Sequence, residues 1–247
     1  MSSQPLKVPP LKEVAFEINF APHLRVEDKI ADFQDEIKGD FPDYAAEIAL
    51  RLPTSVYPAV GPREQQPVQP VRSHSFISSD GQRIVKVSTV NLNLVVRNYL
   101  HFDDYLQSAS KCLNVALQKF QIQEILRIGL RYINFVKVDQ KRLGLNRFVH
   151  PVLTDQVRGR ADTFFVEITE VLDDKKLTTR TGLLSSQNEG ETRECVLDFD
   201  CYSDQKQTIK PTEIQQVLTD FHDTIEARFH AAVTEGYLQY MKTGQWL

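Results

Sequence analysis

The sequence LRIGLRYINFVKV, residues 126–138, has the strongest strand pattern in the chain. One series of alternate positions is mainly apolar, and the other series carries Arg127, Arg131 and Lys137. Such alternation is typical of a strand with one buried face and one polar face. The apolar series is therefore expected to face the core, and the charged series is expected to face away from it.

Two long amphipathic helices follow strand patterns in the two halves of the chain. Apolar side chains recur at helical spacing over residues 102–120 and again over residues 212–233. Each apolar stripe needs an apolar surface to cover, and a sheet supplies one. The sequence therefore predicts a single α+β domain over residues 1–247. Its antiparallel sheet is built from two related halves, 11–122 and 123–235, each ending in a long helix packed on the sheet.

Shorter patterns predict local features. Asp80-Gly81 suits a type I′ hairpin turn, because both residues tolerate positive φ, and one long strand is expected from Arg83 to Tyr99. A second hairpin is expected at Asp173-Asp174-Lys175. The C-terminal tail, residues 236–247, carries two tyrosines and the only tryptophan. We expect this tail to dock on an apolar surface.

Composition limits the classes of function. With 41% hydrophobic and 25% charged residues, the chain has the composition of an ordinary globular protein. The net charge of -4 argues against bulk electrostatic attraction to nucleic acid or anionic membrane. The N-terminus lacks the apolar core of a signal peptide, and no apolar run approaches a membrane span. A cytoplasmic location without membrane contact is therefore expected.

The chain carries no established catalytic or cofactor motif. A nucleophile elbow, a phosphate-binding loop and a dinucleotide glycine signature are all missing, and the six histidines lack metal-ligand spacing. Cys112, Cys195 and Cys201 fall at apolar positions, which predicts buried, reduced thiols. We therefore expect no catalytic residue, no cofactor and no resident metal, although whether any catalysis occurs stays open.

Charged side chains on the polar faces of three strands form the sharpest candidate site. Strand phase gives this set: Glu13 and Glu17; Arg127, Arg131 and Lys137; Glu194, Asp198 and Asp200. If the strands are neighbours, this face becomes a lattice of alternating charge. The lattice is either a set of ion pairs on a solvated face or a concave polar site. In the second interpretation Arg131, Tyr132 and Asn134 recognise an anionic group, because a guanidinium suits carboxylate or phosphate.

Asp198 and Asp200 also allow a metal interpretation. Two carboxylates two residues apart on a strand project the same way and can share a divalent cation. Glu167 and Glu194 are the candidates for a third ligand by strand phase. Because strand alternation makes such pairs common, this interpretation is not favoured, and both aspartates are assigned to the candidate binding site with Arg131.

A basic segment follows the strongest strand. Its cationic residues, assigned to a partner-contact loop, are Lys141, Arg142, Arg147, Arg158 and Arg160. The charge either keeps a connection solvated or makes an electrostatic contact with nucleic acid or an acidic partner. Nucleic acid is not favoured, because Phe148 is the only aromatic residue that lies among these cationic residues and is able to stack on a base.

Several segments carry a resemblance to a known family. They are Pro9–Val14, Phe41-Pro42, Arg127–Asn134, Leu197–Asp200, and Phe221-His222 with Phe229. On these segments the chain resembles a sporadically distributed family of uncharacterised bacterial proteins of about this length, with a Gly-Leu-Arg-Tyr-Ile-Asn strand motif. The resemblance covers nearly the whole chain and implies a bacterial, stand-alone protein. The patchy distribution implies a gene carried with mobile or defence-related cargo, and the family supplies no catalytic residues.

Taken with the site, these features predict a non-enzymatic interaction or ligand-sensing protein that belongs to a bacterial defence or stress module. The expected partner is another protein or a small anionic ligand, and the oligomeric state is left open. The alternative is an enzyme that acts on a phosphorylated or nucleic-acid substrate through the face of Arg131, Asp198 and Asp200.

Overall fold

The computed structural model describes residues 6–50, 70–138, 147–150, 163–184, 193–208 and 210–246. These residues form nine strands and four helices. The strands are β1 (Leu11–Asn19), β2 (Asp43–Leu50), β3 (Pro70–Ile77), β4 (Arg83–Ser88), β5 (Asn91–Val96), β6 (Arg127–Val138), β7 (Phe164–Leu172), β8 (Lys175–Leu184) and β9 (Arg193–Ser203). The helices are α1 (Arg25–Ile37), α2 (Phe102–Phe120), α3 (Pro211–Ala232) and α4 (Glu235–Thr243).

These nine strands make one sheet in the order β2-β3-β4-β5-β1-β6-β9-β8-β7. Every neighbouring pair is antiparallel. β1 and β6 lie side by side and join the two parts of the chain, with Phe16 opposite Leu130 and Ile18 opposite Ile128. The predicted α+β class with an antiparallel sheet is therefore confirmed.

The core lies between the sheet and the helices. Alternate residues of the central strands are buried there: Val14, Phe16 and Ile18; Ile128, Leu130 and Val136; Leu197, Phe199 and Cys201. α3 packs on β6 and β9, α2 packs on β5 and α3, and α1 packs on α2 and β4. The Phe33 ring of α1 lies 5.5 Å from the Phe76 ring and 5.3 Å from the Phe120 ring. The helices thus cover one face of the sheet. The charged residues that alternate with the buried ones along these strands lie on the other face.

The two predicted long helices are found where their apolar stripes indicate. α2 spans Phe102–Phe120 as predicted, and α3 begins at Pro211, one residue before the predicted start. The earlier start arises because the Glu213 carboxylate accepts a hydrogen bond from the Lys210 backbone N–H, and proline fits a first helical turn. Within the described residues, no helix is both long enough and apolar enough to cross a membrane.

The hairpin at Asp80-Gly81 is confirmed, but its turn is not type I′. Gly81 has a φ of 68°, whereas Asp80 is not among the described residues with positive φ. The Asp80 carboxylate instead accepts hydrogen bonds from the Ser78 hydroxyl and from the Gln82 backbone N–H. A side chain therefore organises this turn, as aspartate often does in loops.

The single long strand predicted from Arg83 to Tyr99 is in fact two strands, β4 and β5, which pair with each other. The chain reverses between them because the Ser88 hydroxyl accepts hydrogen bonds from the backbone N–H groups of Val90 and Asn91. The structure also has a strand, β2, that the sequence pattern does not predict. The sequence indicates only that a structural unit ends at Phe41-Pro42.

The C-terminal tail packs on an apolar surface, as predicted, and much of it is the helix α4. Tyr237 and Met241 are buried. The Trp246 ring stacks on Tyr240 with centroids 4.6 Å apart and meets Phe148 edge-on at 5.0 Å. Apolar contact therefore holds the only tryptophan of the chain in place.

Candidate functional site

The candidate site is a network of charged side chains on the sheet face opposite the helices. At its centre, Arg131 Nε donates to Asp198 Oδ1 at 2.8 Å, and Arg131 Nη2 donates to Asp198 Oδ2 at 2.6 Å. Arg127 Nη2 lies 2.9 and 3.0 Å from the two carboxylate oxygens of Asp200. β6 and β9 are neighbours, so the charge lattice predicted from strand phase is present between them.

Gly129 explains how Arg127 reaches Asp200. A Cβ atom at residue 129 would lie 2.7 Å from Arg127 Nη1 and 3.0 Å from Arg127 Cζ, so the guanidinium lies directly over the glycine. The same guanidinium lies over the Tyr202 ring, with Cζ 4.5 Å from the ring centroid. The glycine of the Gly-Leu-Arg-Tyr-Ile-Asn motif therefore leaves room for an arginine side chain on this face.

The network continues on both sides of β6 and β9. Toward β1, Arg127 Nη1 lies 3.5 Å from Glu17 Oε1. Toward β7, Arg180 Nε donates to Glu167 at 2.6 Å, and Arg180 Nη1 lies 3.4 Å from Asp198 Oδ2. The connected side chains thus cross β1, β6, β9, β8 and β7, which are neighbours in that order. We call this set the charged face: Glu17, Arg127, Arg131, Glu167, Arg180, Asp198 and Asp200.

Burial distinguishes the charged face from ordinary surface ion pairs. Asp198 is only 3% exposed, and Asp200 is also largely buried. Burial raises the pKa of Asp200, and the guanidinium groups of Arg127, Arg131 and Arg180 oppose that shift. The hydrogen bond to Asp198 raises the pKa of Arg131. Asp200 therefore depends on the arginines to stay ionised, because a buried unpaired carboxylate is costly.

Tyr132 and Asn134 do not lie with Arg131. Both side chains are buried on the helix-covered side, because successive residues of a strand project to opposite faces. The Tyr132 hydroxyl lies 2.8 Å from Nδ1 of His222 in α3, and Asn134 Nδ2 donates to a backbone carbonyl of β9 at 3.1 Å. The single site of Arg131, Tyr132 and Asn134 expected from the sequence therefore does not form. Of the predicted binding residues, the structure brings together only Arg131, Asp198 and Asp200.

A second polar cluster lies on α3, on the helix-covered side of the sheet. The His222 ring stacks on Phe102 of α2 with centroids 3.9 Å apart, and burial lowers the pKa of His222. The ligand atoms of His222, Asp223 and Glu226 lie within 4.8 Å of one another. In the part of the chain that the structure describes, this is the group with the geometry to hold a metal ion. The sequence signal is the four-residue spacing of His222 and Glu226, which a search for histidine pairs misses.

The predicted partner-contact loop falls mostly outside the described residues: Lys141, Arg142, Arg158 and Arg160. Arg147 is described and exposed, and its guanidinium carbon lies 5.8 Å from the centroid of the Trp246 ring. This arginine therefore lies beside the packed C-terminal tail.

All three cysteines, Cys112, Cys195 and Cys201, are buried, as predicted. Burial raises the pKa of each thiol to about 12. A thiol with such a pKa is almost entirely protonated near neutrality, so none of the three is suited to nucleophilic chemistry.

Arg131 has the most exposed side chain of the three arginines of the charged face. Its side chain is 42% exposed, compared with 22% for Arg127 and 20% for Arg180. A guanidinium has five N–H donors, and Asp198 accepts from only one edge of Arg131. The remaining donors of Arg131 are therefore able to bind an anionic group from solvent.

Arg180 is the main residue of the charged face that the sequence analysis missed. The predicted hairpin at Asp173-Asp174-Lys175 indicates that two strands pair but leaves their register open, and the structure places Leu172 opposite Lys175. Counting back along both strands then places Glu167 opposite Arg180, as the structure has it. The sequence therefore indicates the hairpin, and the observed register adds Arg180 to the lattice.

Comparison with known proteins gives no match, either to a protein-family model or to a curated sequence.

Proposed function

We propose that this chain is a non-enzymatic interaction or ligand-sensing protein, which binds an anionic group of a protein partner or small ligand at the charged face. The observation that carries the proposal is the geometry of Arg131. One edge of its guanidinium holds the buried Asp198, while the side chain stays 42% exposed. A guanidinium held in this way is a preformed donor for a carboxylate or phosphate.

The two aspartates of the charged face each have a second arginine nearby, and this arrangement allows the protein to sense ligand binding. Asp198 lies 3.4 Å from Arg180, so it keeps a cationic neighbour when Arg131 turns toward a ligand. Asp200 keeps its contact with Arg127. Binding therefore redistributes ion pairs across β6, β9 and β8 without leaving a buried carboxylate unpaired, which keeps the cost of the exchange low.

The alternative function is an enzyme that acts on a phosphorylated or nucleic-acid substrate at the same face. Such an enzyme needs a carboxylate that is open to accept a proton or to hold a cation. Asp198 and Asp200 instead accept guanidinium hydrogen bonds. We therefore rank interaction above catalysis, and the proposal includes no cofactor.

The test uses inorganic phosphate and citrate as probes of the anion site. We expect the Arg131 Nε–H resonance in a ¹H–¹⁵N NMR spectrum of the full chain to shift in a saturable way with one of them. The backbone N–H resonance of Asp198, which should shift with it, is followed in the variants. Arg131→Lys keeps the charge but loses the planar fork, so its affinity should fall by about tenfold.

Arg97→Ala is the matched control, because Arg97 is an exposed arginine on the same side of the sheet that contacts Glu13 at 3.5 Å. This variant should bind the probe like the parent chain. A saturable shift that is weakened equally in both variants would reflect general electrostatics, and with no saturable shift at Arg131 the proposed site would be abandoned.

We also infer that the two halves, 11–122 and 123–235, are related by duplication. Outward from the centre of the sheet, the first half contributes β1, β5, β4, β3 and then β2, and the second half contributes β6, β9, β8 and β7, so β2 is additional to the matching series. Each series follows the same chain order, and each is followed by a long helix, α2 or α3. The matching order supports a common origin of the two halves.

We further propose a cytoplasmic role in a bacterial defence or stress module. This step rests on the resemblance to a sporadically distributed bacterial family, whose patchy occurrence is typical of mobile cargo. The measurement is the plating efficiency of a phage panel on cells that carry the gene with its neighbouring genes. Protection that is lost with Arg131→Lys would support both the role and the site, whereas equal plating with and without the gene would contradict the defence role.

A further inference from the structure

One edge of the sheet is formed by β7, Phe164–Leu172. β7 pairs with β8 along all nine of its residues. Within the described ranges, no strand pairs with its other side. An open edge of this length presents a row of backbone N–H and C=O groups that is a template for a further strand.

Among the described residues, β7 shows few of the features that usually protect an edge strand. It contains no proline and no lysine, and its pairing with β8 runs without a bulge. Its exposed side chains include large apolar ones, with Ile168 48% and Val171 74% exposed. Such an edge favours association, because pairing satisfies the backbone groups and buries the apolar side chains together.

The two charges of β7 are already neutralised within the chain. Glu167 accepts a hydrogen bond from Arg180 at 2.6 Å, and Glu170 lies 2.8 Å from Arg228 of α3. Neither carboxylate is therefore a strong obstacle to a neighbouring strand.

We propose that a second copy of this chain pairs with β7 through its own β7, in an antiparallel arrangement centred on Ile168. A two-fold axis between two antiparallel copies of one strand is perpendicular to the sheet, so residues of the same face lie opposite each other. The axis must then pass beside one residue and its own copy. Ile168 is the midpoint of Phe164–Leu172, so this register alone pairs all nine residues.

The register centred on Ile168 also matches side-chain character. It places Phe165 opposite Val171, Phe164 opposite Leu172 and Ile168 opposite its own copy. Glu167 lies opposite Thr169, and Val166 lies opposite Glu170. Apolar residues therefore meet apolar residues on both faces except at Val166, and no carboxylate directly faces another.

The neighbouring registers are poorer. Centring on Glu167 or Glu170 places two identical carboxylates opposite each other, which is destabilising. Centring on Thr169 places Ile168 opposite Glu170, and centring on Val166 places Phe165 opposite Glu167. Charge and apolar pattern therefore select one register out of five.

The resulting dimer has one continuous sheet made from two nine-stranded sheets. Because the axis is perpendicular to the sheet, the charged faces of both copies lie on the same side. Glu167 and Arg180 of each copy lie close to the new contact. This inference stands on the edge strand and does not depend on which anion, if any, binds Arg131.

The first experiment measures the mass of the purified full chain by light scattering at about 100 µM. We expect twice the chain mass of 28.3 kDa. Ile168→Lys places two lysines opposite each other at the axis and should return the mass to that of one chain. Leu24→Lys is the control, because Leu24 is 79% exposed and lies at the start of α1, away from β7.

The second experiment measures the register with single added cysteines, since the native cysteines are buried. Under mild oxidation Ile168→Cys should form a disulfide between chains, because directly opposed residues have Cα atoms about 4.5–5.5 Å apart. Thr169→Cys should not, since its copy is offset by two residues and lies beyond the ~7 Å limit. A mixture of Phe165→Cys and Val171→Cys should cross-link only between the two different variants.

Three results would overturn the proposal. The first is a monomer at about 100 µM with a cooperative unfolding transition, and the second is a dimer that Ile168→Lys leaves intact. The third is a disulfide that forms as efficiently with Thr169→Cys as with Ile168→Cys. That result would mean that the two β7 edges meet without a defined register. Far-UV circular dichroism of Ile168→Lys confirms that a change in mass reflects lost pairing and not lost folding.

Discussion

At the residue scale, Arg131 is a partly exposed side chain that is hydrogen-bonded to a buried carboxylate. The sequence alone indicates an exposed ion pair, whose removal costs under about 1 kcal/mol. Asp198 is instead only 3% exposed, and removing a partner from a buried charge costs more. Arg180, 3.4 Å from Asp198, offsets part of that cost. Arg131→Lys is therefore a better test of binding than Arg131→Ala, because it keeps a positive charge beside Asp198.

Gly129 gives a stability prediction at the same scale. Gly129→Ala should displace the Arg127 guanidinium, since the added Cβ would lie 2.7 Å from Arg127 Nη1. The largely buried Asp200 would then lose its closest partner, so the free energy of unfolding should fall by about 1–3 kcal/mol. Urea denaturation followed by circular dichroism measures the change.

A double-mutant cycle provides the control for this prediction. Arg127→Ala should destabilise by a similar amount, and Gly129→Ala should add almost nothing once Arg127 is absent. Alanine at residue 129 would even be tolerated better than glycine in a strand without the arginine above it. Additive effects of the two substitutions would contradict the assigned role of Gly129.

At the element scale, the contact between α2 and α3 includes a partly buried histidine. The His222 ring of α3 is stacked on Phe102 of α2, and its Nδ1 lies 2.8 Å from the Tyr132 hydroxyl of β6. One side chain thus contacts both helices and the sheet. Burial makes the protonated form of this ring unfavourable in the folded state.

The pH dependence of stability should therefore report on His222. Burial lowers its folded-state pKa, while Glu226, Asp223 and Asp103 oppose the shift with smaller effects. As pH falls through the unfolded-state value near 6.5, the unfolded chain takes up the proton first, and the folded state loses stability. This contribution is complete above the unfolded-state pKa, and its slope cannot exceed about 1.4 kcal/mol per pH unit.

The measurement is urea unfolding of the parent chain and of His222→Gln between about pH 7.5 and 5.0. Glutamine keeps a polar group near Tyr132 but does not titrate. The parent chain should lose stability faster than the variant on acidification. Parallel pH profiles would mean that the proton on His222 is not coupled to folding.

At the scale of the whole molecule, the net charge of -4 opposes approach to nucleic acid. The charged face is not an electropositive patch either, since its three arginines are matched by four carboxylates. Its pattern of alternating charge suits a partner with a matching pattern better than a polyanion. Interaction with a protein or small ligand therefore fits the charge distribution better than binding to nucleic acid.

Nucleic-acid binding should accordingly be weak. In a fluorescence polarisation titration with single-stranded DNA at about 50 mM salt, we expect no complex tighter than about 100 µM. The residues to neutralise as a control are Lys141, Arg142, Arg147, Arg158 and Arg160. Tight binding that disappears in this variant, with a salt slope reduced by about one unit for each contact removed, would instead establish the basic segment as a nucleic-acid site.

Periodicity in the sequence determines the class of the fold and the faces of its elements. The stripe of α2 and the alternation of β1, β6 and β9 predict the buried positions that are observed. Periodicity succeeds here because burial repeats every two residues in a strand and about every 3.6 in a helix, whatever the neighbours are. The same alternation already places Tyr132 and Arg131 on opposite faces.

The tertiary structure decides which strands are neighbours, and therefore which charges meet. Arg131 and Asp198 are 67 residues apart in the chain, and they meet because β9 lies between β6 and β8. No local pattern reports that order, since many strand orders bury the same apolar residues. The burial of Asp198, the passage of Arg127 over Gly129 and the edge position of β7 among the described strands all follow from that order. They depend on pairing between distant segments, which is a property of the packed sheet and not of any one segment.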